Sequence, residues 1–244
     1  MSLIKNIEDV TLVAVATTEV EATAKALEYS TKKLKFERVL LLSHYNPKPE
    51  SNFYEHIQIS EFDNVGEWGK FIVFELYKYI QTKHIMLIHA DGFIVNPNLW
   101  DNIFLDYDYI GAPWPIPKDN FSYRDYYGNI IRMGNSVSLR SKRLLELPSR
   151  LKLDWQTADH GYFHEDGFIC VQNRHILQDN GINFAPLSVA CRFSREKPIL
   201  ENKGIEPFAF HKWEGENSKY PQLCQKTTYL YKLNRVLNRL KKRI

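Results

Sequence analysis

The amino-acid sequence predicts an α/β fold built on a mostly parallel central sheet flanked by helices. Two observations carry this. Apolar, β-branched runs alternate with stretches of helical periodicity through the first part of the chain, the pattern of successive βαβ units. At 244 residues and 44% hydrophobic content, the chain can also bury one large core.

The elements follow in order. TLVAVAT (11–17) reads as a buried strand, and Ala22, Ala26, Leu27 and Leu34 then fall at roughly helical spacing over 21–34, with Thr18 in position either to cap that helix or to touch a ligand. RVLLLSH (38–44) gives a second strand, and Pro47 and Pro49 break the chain after it. EHIQIS (55–60) alternates like a third strand, Trp68 to Tyr79 fits a helix, and HIMLIHA (84–90) is a fourth strand. The second half is less regular. YDYIGAP (107–113) ends a strand in a turn, a proline- and aromatic-rich stretch from Pro113 to Tyr127 reads as a long functional loop, and GNSVSLRSKRLLEL predicts a turn, a strand and a helix from about Ser141. The apolar run FICV after Glu165–Asp166 reads as a buried helix, and further strands are expected near 182–186, 189–193 and 207–211.

Composition narrows the function classes. A net charge of +3 from 32 basic and 29 acidic residues gives no nucleic-acid signature. The charge is unevenly spread, because six Lys and Arg lie between Lys232 and Arg243. Cys170, Cys191 and Cys224 form no C-x-x-C pair, which argues for reduced thiols over a disulfide framework or a cysteine metal site. The start, MSLIKNIEDV, carries charges where a secretory signal would be apolar, and no run reaches the length of a spanning helix, so a cytoplasmic protein is expected.

In open α/β sheets ligands bind beyond the carboxyl ends of the strands. Thr17, Thr18, Glu19, Ser43, His44, His89, Ala90 and Asp91 are therefore the first candidates. Asp91, followed by Gly92, has two open readings: a turn residue bonding its own backbone, or a carboxylate holding a cation that bridges diphosphate oxygens. Adjacent Glu165 and Asp166 are either helix N-terminal acids or a strained pair, one of which serves as general base. His211 is either a packed ring or a ligand for an ion such as Mn²⁺. Gly134, Asn135 and Ser136, near Arg132 and Arg140, form a plain β-turn or a polar turn suited to phosphates and sugar hydroxyls.

Taken in order, these sites resemble the GT-A glycosyltransferase pattern: a metal-binding aspartate after the fourth strand, a glycine-containing loop, an x-Glu-Asp motif and a late histidine. HADGFIVNPNLWDN, YDYIGAPWP, GNSVSLRSKRLL, EDGFIC, FAPLSVACRFS and PFAFHKW look like successive blocks of a bacterial family long catalogued as a domain of unknown function and related to GT-A enzymes, over about Val10 to Trp213. The resemblance implies a GT-A, Rossmann-like domain over 1–218 that moves a sugar from a nucleotide-sugar donor to a glycan or lipid-linked glycan acceptor. It further implies a divalent cation, Mn²⁺ or Mg²⁺, on Asp91 and His211, Asp166 as the base of an inverting reaction, Glu165 as an acceptor-binding partner, and Gly134, Asn135 and Ser136 facing donor sugar and acceptor. The sequence departs from the pattern twice: His89 stands at the first acidic position of the Asp-x-Asp motif, and Ser136 and Val137 replace the loop's second glycine. These departures motivate the alternative of a non-catalytic nucleotide-sugar or glycan-binding protein. A nucleotidyltransferase is disfavoured, since VAVATTEVEA lacks a glycine-rich basic signature.

Finally, YLYKLNRVLNRLKKRI places Leu230, Leu233, Val236, Leu237, Leu240 and Ile244 on one helical face ringed by basic residues. A basic amphipathic helix over 219–244 suits an anionic membrane surface, or packing on protein with a solvated charged face.

Overall fold

The computed structural model describes residues 4–155 and 164–223. Its centre is a six-stranded sheet in the order β3-β2-β1-β4-β6-β5, made of β1 (Lys5–Val15), β2 (Leu34–Ser43), β3 (Glu55–Gln58), β4 (His84–Leu87), β5 (Tyr109–Pro113) and β6 (Met133–Ser141). β1, β2, β3 and β4 pair in parallel, whereas β6 runs antiparallel to both β4 and β5. The expected mostly parallel sheet with flanking helices is therefore present.

Period-two alternation in the strands divides the core between the two faces of the sheet. Leu12 and Ala14 of β1, Leu41 and Met86 point to one face, where Ala24, Ala26 and Leu27 of helix α1 (Val20–Ser30) join the larger core. Val13, Val15, Leu40, Leu42, Ile85 and Leu87 point to the other, covered by Ile72 of α2 (Val65–Phe74), Leu76 and Ile80, with Leu145 from α3 (Lys142–Arg150). Two helix starts follow ordinary capping chemistry. Asn64 accepts a hydrogen bond from Glu67 N at 3.0 Å, and Ser141 accepts one from Leu144 N at 3.1 Å.

The structure revises several local expectations. Thr18 does not cap α1; Glu19 occupies that position in a left-handed conformation (φ 54°) with no side-chain cap bond. Leu34, expected to end the helix, instead opens β2 beside Lys5. Residues 189–193 are helical, within α6 (Leu187–Phe193), since a short buried apolar run satisfies either period. The strand expected at 182–186 is reduced to one bridge between Tyr109 and Phe184. The helix after Glu165–Asp166 is a single turn, α4 (Glu165–Gly167), that widens into a π-helical turn over Phe168–Gln172 and continues as α5 (Arg174–Asp179). Strand β8 (Ala209–Phe210) lies within the expected 207–211 and pairs in parallel with β7 (Ser194–Arg195).

No helix among the described residues is long and apolar enough to cross a membrane. The expected basic helix over 219–244 lies outside the described residues apart from 219–223. Tyr220, just past the expected boundary at 218, is buried and packs its ring 4.9 Å from that of Phe210. Cys170 and Cys191 are buried free thiols, and Cys224 lies outside the described residues.

Candidate functional site

The chain runs outward from β1 to β2 and β3, then returns to place β4 on β1's other side. This reversal leaves a crevice beyond the ends of β1 and β4, where open α/β sheets bind ligands. A cavity of about 470 Å³ lies there. Its walls include Thr17, Thr18 and Glu19 from the end of β1, His89, Ala90 and Asp91 from the end of β4, and Ser136 and His211 from later segments. Ser43 and His44 are not part of it. Ser43 is fully buried and donates to Tyr45 O at 2.6 Å, while His44 Nε2 lies 3.6 Å from Glu61 Oε1.

Tight local geometry brings Asp91 to His211. His89 N donates to Gly92 O at 2.7 Å, closing a turn after β4 that presents Asp91. A side chain at Gly92 would place its Cβ 2.5 Å from Val137 Cγ2 and 2.8 Å from His211 Cδ2, so only glycine lets the turn and the histidine meet. Pairing of β7 with β8 sets the residues after each strand, Glu196 and His211, side by side. Lys212 N then donates to Asp91 O at 2.8 Å. As a result His211 Nε2 stands 3.5 Å from Asp91 Oδ1.

The charges here are strongly biased by their surroundings. Burial pushes the Asp91 carboxyl upward, but His211 and then His89 outweigh it and hold the group down at about 2, so it is ionised throughout the neutral range. Burial, reinforced by His211, lowers His89 to about 4, which keeps that ring neutral. His89 Nε2 is buried with no hydrogen-bond partner among the described residues. Glu19 lines the same cavity as Asp91 and is raised by burial and then by the Asp91 charge.

Asn135 joins this end of the site to the acidic pair. It is a buried non-glycine residue at φ 91°, a conformation that asparagine tolerates better than most. Its N–H donates to Asp166 Oδ2 at 3.2 Å, and its side-chain amide donates to Glu196 Oε2 at 2.8 Å and lies 3.1 Å from His211 Nδ1. Tyr109 OH donates to its carbonyl at 2.6 Å. Gly134 precedes it with no room for a side chain, since an added Cβ would fall 2.0 Å from Trp114.

The adjacent acids have opposite fates. Glu165 is 1% exposed and accepts a hydrogen bond at 2.9 Å from Arg140, itself 0% exposed and lying over the Tyr109 ring. The resemblance implies an acceptor-binding role for Glu165; here its Oε1 is taken up by the buried Arg140 guanidinium, while its Oε2 is buried with no hydrogen-bond partner among the described residues. Asp166 is partly exposed. Burial and the neighbouring Glu165 charge raise it to about 7, although Gly167 N donates to it at 2.8 Å. The pairing with Arg140 suits Glu165 to structure, and the raised, partly exposed Asp166 is suited to proton transfer.

Asp91 is a single carboxylate facing the cavity, a donor set that anchors a divalent cation only when other ligands come from a bound molecule and water. The described residues contain no group of three or more His, Cys, Asp or Glu side chains able to hold a metal by themselves. Glu196, which follows the unremarkable run CRFSR, and Trp68, which lines the cavity and donates its indole N–H to Val15 O at 2.9 Å, carry no local sequence signal that marks them as site residues. On the other side of Asn135, the Trp114 and Tyr123 rings stack 4.6 Å apart, and Tyr123 is raised by burial and by the nearby Glu196 and Asp166 charges.

The fold is similar to that of the galactosyltransferase LgtC in complex with donor and acceptor sugar analogs, at 12% identity over 87% of this chain and 92% of that chain, with a TM-score of 0.49. It is also similar to the apo-form glycosyltransferase GlyE of Streptococcus pneumoniae TIGR4, at 9% identity over 84% of this chain and 56% of that chain, with a TM-score of 0.43. No curated protein matches the chain in sequence. The model of the family described as Protein of unknown function (DUF5672) matches residues 54–211 and so takes in His89, Asp91, Asn135, Asp166 and His211; with well over half its length matched, the chain belongs to that family.

Proposed function

We propose that the protein is a GT-A-type glycosyltransferase that moves a sugar from a nucleotide-diphosphate sugar onto a hydroxyl of a glycan or lipid-linked glycan acceptor. The observation that carries the reading is Asp166, a partly exposed carboxyl held at about 7 and bonded through Asn135 to the residues around Asp91 and His211. A carboxyl poised near neutrality beside the cavity residues is suited to act as a general base, which works best when its pKa lies near the working pH.

In this reading the donor's diphosphate occupies the cavity beyond β1 and β4. A bound Mn²⁺ or Mg²⁺ would neutralise charge on the leaving diphosphate, with Asp91 as its protein anchor. Thr17 and Thr18 offer hydroxyls to the nucleotide, and Ser136 lines the wall toward the donor sugar. The acceptor lies on the Trp114 and Tyr123 side. Asp166 takes the proton of its hydroxyl as that oxygen attacks the anomeric carbon from the face opposite the diphosphate, so the product is inverted. The backbone N–H groups of Asn135 and Gly167 hold the carboxylate in place. An anionic membrane surface as partner, through the basic segment after 218, belongs to the same proposal if the acceptor is lipid-linked.

The test is incubation with a panel of nucleotide sugars and Mn²⁺, measuring release of nucleoside diphosphate with and without glycan acceptors. Acceptor-dependent release from one donor, lost in Asp166→Asn, supports the reading. Nucleotide-sugar binding without release from any donor favours the non-catalytic alternative.

A further inference from the structure

His211 was expected to ligate the cation, which requires a free lone pair on the ring nitrogen facing Asp91. The hydrogen bonds behind the ring favour the other arrangement. Asn135 Oδ1 accepts from Val137 N at 3.0 Å, and this fixes which way the amide points. Its NH₂ group must therefore face Glu196 Oε2 at 2.8 Å and His211 Nδ1 at 3.1 Å. An amide nitrogen has hydrogens to give and no lone pair to accept with, so His211 Nδ1 has to be the acceptor. Glu196 cannot compete for a proton on Nδ1. Its Oε1 is 3.7 Å from Nδ1, beyond hydrogen-bonding distance, and is drawn toward Lys212, while its Oε2 holds Asn135.

We propose that Asn135, held by Glu196 and Val137, keeps the proton of neutral His211 on Nε2, so that the ring meets the cavity as a hydrogen-bond donor and not as a metal ligand. At 3.5 Å, Asp91 Oδ1 is at the outer edge of hydrogen-bonding reach, which leaves the Nε2–H available to an oxygen entering the cavity. The natural recipient is a diphosphate oxygen, since the donor sits beside the cation anchor. This assignment of the recipient rests on the reading of the cavity as a donor site, but the tautomer does not. Asn135 and Glu196 are positioning residues, acting on the ligand only through His211.

The experiment is nitrogen-15 NMR of histidine-labelled full-length protein, with the His211 ring assigned from its absence in His211→Gln. Wild type should show Nδ1 as the unprotonated nitrogen and Nε2 as the protonated one. Asn135→Gly retains a residue at ease with the left-handed backbone and deletes only the amide; in it the proton should shift to Nδ1 or divide between the two nitrogens. Inorganic pyrophosphate added with Mg²⁺ should shift the Nε2 signal of wild type without deprotonating that nitrogen, and its affinity should fall roughly tenfold or more in His211→Ala, the scale of a lost hydrogen bond to a charged group. A wild-type ring protonated on Nδ1, or an unchanged tautomer in Asn135→Gly, overturns the proposal whatever the protein binds. The expected tautomer with no pyrophosphate binding overturns the donor role together with the reading of the cavity, while leaving the positioning by Asn135 established.

Discussion

Replacing Asp166 by Asn tests the poised carboxyl in two independent ways. In the folded chain Asp166 holds its proton up to about 7, whereas in the unfolded chain a carboxyl of this type loses it near 3.8. Between those values the folded state binds more protons, so stability falls as pH rises through this window. The difference corresponds to about 4 kcal/mol against ionisation at high pH, and partial solvent access reduces the expected effect to about 2 kcal/mol. Asn carries no such burden but can accept from only one of the two N–H groups without turning its own NH₂ against the other. Asp166→Asn should therefore be equal to or slightly less stable than wild type near pH ~3.5, below the unfolded-chain value, and more stable by about 2 kcal/mol near pH ~8.5. Urea denaturation at the two pH values measures this directly. On the same variant, sugar transfer should fall by about 10²–10⁴-fold while nucleotide binding is retained. Parallel stability profiles for the two proteins would refute the assigned ionisation, and full activity would refute the base.

Other substitutions separate structural from binding roles. Arg140→Met should cost about 3–5 kcal/mol in chemical denaturation, because it leaves Glu165 as an unpaired buried charge, and adding Glu165→Leu should recover much of that loss. Gly134→Ala forces a methyl group against Trp114 and should destabilise by about 1–3 kcal/mol, with a change in tryptophan emission reporting the displaced ring. In a thermal-shift series of nucleoside diphosphates, stabilisation that needs Mn²⁺ should vanish in Asp91→Ala; a shift that persists would place the cation elsewhere.

The sheet was largely legible in the chain because its signals are local. Strands such as TLVAV and HIML show their buried runs in consecutive residues, and the Ser141 cap stands next to the helix it starts. The short apolar run at 189–193 was misread because five residues do not separate a strand from a helix; packing against the rest of the core decided it. Asp91, Asn135, Asp166 and His211 could be singled out as polar residues after apolar runs, but their meeting could not. That depends on β7 pairing with β8, on Gly92 allowing His211 within contact, and on the left-handed Asn135 reaching Asp166 and His211 at once. The different fates of Glu165 and Asp166 are likewise a tertiary outcome. Neighbouring carboxyl groups of nearly equal intrinsic acidity diverge because Arg140, from a distant strand, seals one of them in the core, while the other faces that charge from a partly open position.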